Sequence, residues 1–65
     1  SMFNIQVAKQ TRLTALSVFD LSGKVILKKY TELNTLDMSQ HVKGVYVLAI
    51  ETDNGEVIKK RILKH

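Results

Sequence analysis

Apolar and polar residues alternate along this chain with a period of two almost everywhere, the pattern of strands that bury one face. Phe3, Ile5 and Val7 alternate with Asn4 and Gln6, which predicts a half-buried first strand. In "LTALSVFD", residues 13–20, Leu16 and Val18 share one face and Leu13, Ala15 and Phe19 the other, as in a central strand covered on both sides. "DLSG", residues 20–23, closes that strand, because Asp20 can bond back to the main chain and Gly23 accepts the left-handed conformation of such a loop. The return strand "KVILKKY", residues 24–30, carries apolar residues on both faces, and "TELN" connects it to a short strand "TLDMS", residues 35–39, with Leu36 and Met38 together. "QHVKG", residues 40–44, is a polar turn ending in glycine.

The final stretch, "GVYVLAIETDNGEVIKKRILKH", residues 44–65, is a hairpin whose register can be argued. A two-residue Asn54-Gly55 loop sets Ile50 against Lys59 and Tyr46 against Leu63, mixing core with charge. A type I turn over Asp53-Asn54-Gly55, with Gly55 left-handed in a bulge, sets Ile50 against Ile58 and Tyr46 against Ile62. The second register is expected, since a slip of one residue sends the whole apolar set to solvent. Lys60 alone interrupts that face. The sum is an all-β domain of about six short antiparallel strands with turns at intervals of roughly ten residues, the pattern of a small β-sandwich or barrel. No helix, repeat or linker is indicated.

At 65 residues the chain holds one domain, and a domain this small buries only about 60% of its unfolded surface. The 45% apolar and 25% charged content is that of a folded protein, and the absence of cysteine excludes disulfides and thiolate metal sites. No apolar run reaches the ~20 residues of a membrane-spanning helix, and the amino terminus does not read as a signal peptide. Ser1-Met2 reads as the remnant of a removed tag, leaving residues 3–65 as a domain cut from something larger.

The formal charge of +4 is concentrated late, in Lys59, Lys60, Arg61 and Lys64. A nucleic-acid surface would interleave such cations with stacking aromatics. Phe3, Phe19, Tyr30 and Tyr46 all stand far from them in sequence, so the cations read as guards of an exposed sheet edge and no nucleic-acid partner is expected. Catalytic chemistry is not indicated either. His41 lies in a turn and His65 at the end, and Asp37, Ser39 and His41 are too close along one strand end to converge on a substrate. "DNG" at 53–55 lacks the spaced carboxylates of a calcium loop, and Gly23, Gly44 and Gly55 are isolated turn residues, not a phosphate cradle. Tyr46 alternates with Leu48 and Ile50 and is expected in the core with its hydroxyl at the rim, not as a ligand platform. No catalytic residue, metal or cofactor is expected.

The ordered set "SVFDLSGKVI" (17–26), "NTLDMSQHVKGVYVLAIET" (34–52) and "NGEVIKKRILKH" (54–65) resembles the C-terminal sorting domain of type IX (Por) secretion cargo from Bacteroidota, over about four-fifths of the chain. Asp20 and Gly23 match the family's first turn, Asp37 and Ser39 its short strand, and Gly44, Val45 and Tyr46 its glycine-tyrosine motif. Asn54 and Gly55 match its final turn, and Lys59, Lys60, Ile62, Leu63 and Lys64 its terminal strand and tail. The Asn-Pro element that precedes the family's first strand is absent here, which leaves that strand's pairing open and an edge free for swapping or a homodimer.

The resemblance implies an immunoglobulin-like sandwich joined to an upstream cargo domain, read in the periplasm by an outer-membrane translocon without inserting in the membrane. It also implies removal by a sortase-like protease at the cell surface, where the cargo is released or attached. On this reading the terminal hairpin is an address, offering strand-edge groups and steering charge to its receptor. An accessory immunoglobulin-like adhesion or carbohydrate-binding module is the alternative, and it would stack a glycan on Tyr30 or Phe19. A basic nucleic-acid binder, the third, would lose affinity steeply with salt.

Overall fold

The computed structural model describes residues 2–5 and 11–65, and these form six strands: β1 (Met2–Asn4), β2 (Leu13–Phe19), β3 (Val25–Lys29), β4 (Thr35–Asp37), β5 (Gly44–Thr52) and β6 (Val57–Lys64). Gln6 and Val7, which the alternation assigns to the first strand, lie outside the described residues. Four strands make an antiparallel sheet in the order β3-β2-β5-β6, and β1 pairs with β4 in a second, two-stranded sheet. The pairing left open for the first strand is therefore with β4, Phe3 facing Leu36, and the Ile5 amide extends it by donating to the Asn34 carbonyl. Met2, set aside as a remnant in the sequence reading, is the first residue of β1 and faces Asp37.

The two sheets enclose one core. Leu16 and Val18 of β2 and Tyr46, Leu48 and Ile50 of β5 pack with Leu36 and Met38 from the β4 segment, and Phe3, Ile5, Leu33, Ile58 and Ile62 close around them. Full burial of each large aliphatic side chain contributes about 1.5–3 kcal/mol, so these few residues carry much of the stability available to so small a domain. The result is a small β-sandwich.

β2 is central, as its two-faced pattern predicts, but a bulge between Leu13 and Ala15 changes the parity and sends Leu13 to the core side. A second bulge, where Phe19 faces Val25 and Val18 faces Leu27, lets both Ile26 and Leu27 touch the core. On the opposite face of the large sheet Ala15, Ser17 and Ala49 are buried too. Ser17 faces Lys28 and Ala49, and Ala49 faces Lys59, so long aliphatic stems roof these small side chains.

Both hairpins of the large sheet turn in the same way. The Gly23 amide donates to the Asp20 carbonyl and the Asp20 amide to that of Lys24; the Gly55 amide donates to Thr52 and the Thr52 amide to Glu56. Gly23 and Gly55 have φ of 90° and 86°, the left-handed residue of a type I turn with a bulge. β6 therefore takes the expected register, Ile50 facing Ile58 and Tyr46 facing Ile62.

Candidate functional site

Four of the five motif segments meet at one end of the sandwich, although up to 44 positions separate them in sequence. In the ladder between β5 and β6, Gly44 faces Lys64, Val45 faces Leu63 and Tyr46 faces Ile62. The segment after β4 lies against the same corner: the Lys64 ammonium donates to the Met38 carbonyl at 2.7 Å and to that of His41. Tyr46, only 6% exposed, passes through the core and donates its hydroxyl to the Val42 carbonyl, pinning the loop from both sides. Antiparallel pairing of β2 with β5 brings the Asp20–Gly23 turn to this end too, while Asn54 and Gly55 stand at the other.

Each turn is closed by its own polar residue. Asp20 Oδ1 accepts the Ser22 hydroxyl at 2.6 Å and the Ser22 and Lys24 amides at 2.9 and 3.0 Å. These bonds, with the Ser22 side chain foremost, hold the Asp20 carboxyl below its ordinary pKa. Asp37 accepts the Ser39 amide at 2.9 Å, and Ser39's backbone and side chain, helped by the charge of Lys64, lower its pKa as well. Both carboxylates thus act on the main chain beside them. In the last turn the Thr52 hydroxyl bonds the Asn54 side chain, and the Glu56 amide donates to both residues at 3.2 Å.

The basic cluster of the sequence divides in two. Alternation along β6 puts Lys59, Arg61 and Leu63 on the outer face with Val57, and Lys60 and Lys64 on the core side with Ile58 and Ile62. Lys64 is a clasp on main-chain carbonyls. It has a counterpart that the residue pattern did not reveal: Lys29, at the end of β3, donates to the Glu32 carbonyl at 2.7 Å and to that of Thr35. One lysine from each edge strand of the large sheet therefore grips one end of β4.

Lys60 stands at a gap between β1 and β6, beside Phe3, Ile5 and Ile62. Lys59 walls a cleft of about 350 Å³ with Phe19, Leu21 and Val47, so an aromatic residue 40 positions away in sequence does stand beside the basic strand. Tyr30 is 66% exposed, with the Lys28 ammonium 5.6 Å from its ring centre. Among the described residues no cluster of three or more histidine or acidic side chains could hold a metal, and no helix is long and apolar enough to cross a membrane.

No curated protein and no solved structure matches the chain. A family model does, over residues 1–64, and it is the one describing the secretion system C-terminal sorting domain. The chain belongs to that family: it is a secretion signal domain of the kind that ends type IX cargo proteins.

Proposed function

We propose that this domain is read in the periplasm by the type IX outer-membrane translocon and is then cut from its cargo by a sortase-like protease at the cell surface. The observation that carries the reading is the convergence of Asp37–Ser39, Gly44–Tyr46 and Ile62–Lys64 on one corner, within a chain whose family is defined by sorting. A receptor touching that corner meets all three segments at once. Recognition then depends on the folded sandwich and not on a linear tail. The tyrosine hydroxyl bonded to a carbonyl four residues upstream is also the corner device of immunoglobulin-like sandwiches, which supports that finer fold assignment. β1 has one partner strand among the described residues, so its second edge is the place for strand exchange or a homodimer.

The test is a reporter protein fused ahead of the domain in a type IX-competent cell. Export is expected with the domain, retention in the periplasm without it, and a shortened product at the surface where the protease acts. Equal export of the reporter alone, or normal export after deletion of residues 61–65, contradicts the reading.

A further inference from the structure

We propose that the outer edge of β6 is a docking edge for a strand of a different chain that carries acidic residues at its centre, and that the same edge excludes a second copy of this domain. The inference rests on the sorting reading and names the chemistry of the partner. β6 is eight residues long and ends the sheet, and among the described residues no strand pairs with its far side. Counting from the bonded Thr52–Glu56 pair, the alternation of an antiparallel ladder turns the N–H and C=O groups of Val57, Lys59, Arg61 and Leu63 outward. An added strand meets a complete row of donors and acceptors there.

The side chains decide which strand it is. Lys59 and Arg61 project from one face of this edge and Lys60 from the other, with apolar residues on both sides of the three. In a two-fold dimer the edge strands pair antiparallel. Across that edge outward-bonding residues must face one another, so odd positions of β6 meet odd positions of the copy and even meet even. The two longest such registers set Lys60 on Lys60 with Lys59 on Arg61, or Arg61 on Arg61, and the next two set Lys59 on Lys59 or Lys60 on Lys64. Every register that keeps more than half of β6 paired thus places like charges directly opposite, which is destabilising. A strand with acidic residues at three successive central positions and apolar residues outside them reverses the sign of each of these pairs. The neighbouring charges favour it too, since the chain is net positive at +4.

The probe is a nine-residue peptide of three glutamates flanked on each side by alternating valine and threonine, titrated into the 65-residue chain at low salt. Expected are chemical-shift changes at the amides of Val57, Lys59, Arg61 and Leu63, and affinity about tenfold weaker for the Lys59→Gln/Arg61→Gln variant. Absence of binding overturns the proposal, and so does equal binding of the lysine counterpart. Equal binding of a peptide N-methylated at alternate amides also overturns it, because charge without strand pairing would then suffice. A parallel arm separates the two readings: normal export of a fusion carrying Lys59→Gln/Arg61→Gln overturns the docking edge alone. Failure of the unsubstituted fusion to leave the cell overturns the sorting reading, while the peptide result still decides the chemistry of the edge.

Discussion

The Lys64 ammonium stands 2.7 Å from the Met38 carbonyl oxygen, so the last residue of β6 holds the segment that follows β4 across 26 positions of sequence. The His41 amide donates to that same oxygen, and the His41 carbonyl is the second acceptor of Lys64. A single side chain therefore ties the terminal strand to the short-strand motif.

Replacing Lys64 with methionine keeps the stem and removes the donors. Bonds to charged groups contribute about 1.5–3 kcal/mol when buried, and Lys64 is half-exposed, so a loss of about 1 kcal/mol is expected. In a domain of this size that lowers the melting temperature by roughly 4–8 °C. Hydrogen exchange should speed up at His41, whereas Lys60→Met, on the same face without such bonds, should leave His41 unchanged. Equal protection at His41 in both variants contradicts the clasp.

Gly55 isolates a backbone effect from a packing effect. A Cβ built there meets nothing within 4 Å, yet φ is 86°. Gly55→Ala should therefore cost about 1–2 kcal/mol purely from the left-handed conformation, and Gly55→Asn less, because asparagine tolerates that region. Chemical denaturation of the three proteins checks the order. A penalty for asparagine as large as for alanine would mean that the turn is not the type I plus bulge described.

The Asp20 and Asp37 carboxyls both have folded pKa values below the ordinary 3.8. A depressed acid contributes stability that is complete above its unfolded pKa and is lost as pH falls through the folded one. Thermal midpoints should therefore be insensitive to these two groups near neutrality and fall below about pH 4. Asp20→Asn keeps an acceptor oxygen and removes the charge, so it should be less stable than the parent at pH 6 and converge on it toward pH 2. A gap that stays constant across this range would assign the effect to shape and not to ionisation.

How much of this the sequence disclosed depends on which atoms do the work. The register of β6 was legible because only one pairing puts Ile58 and Ile62 opposite Ile50 and Tyr46. Asp20, Gly23 and Gly55 were legible as turn residues because their side chains, or lack of them, perform the turn. The partner of β1 was not, since three residues carry too little pattern to choose a neighbour. The bulges at β2 and β3 were hidden too, because one extra residue reverses parity without any change in composition. The clasps of Lys29 and Lys64 were the least visible: their acceptors are main-chain carbonyls, which every residue has, and a lysine late in a polar strand reads as solvated charge.

Charge pattern, if it keeps β6 from pairing with itself, can be inverted by one substitution. In the antiparallel register centred on Lys60, Lys59 faces Arg61 of the copy and, by symmetry, Arg61 faces Lys59, so Arg61→Glu turns two repulsive pairs into two attractive ones. Ile58 then faces Ile62 and Val57 faces Leu63, leaving Lys60 opposite its own copy as the one like-charge pair. Each cross-strand pair is worth about 0.2–1 kcal/mol relative to a neutral one, and the reversal counts twice at each. The variant should dimerise measurably at concentrations where the parent is monomeric, and high salt should reverse it. Sedimentation equilibrium at low and high ionic strength checks both statements. A parent that already pairs through β6, seen as protection of the Lys59 and Arg61 amides at high concentration, would refute charge exclusion at this edge.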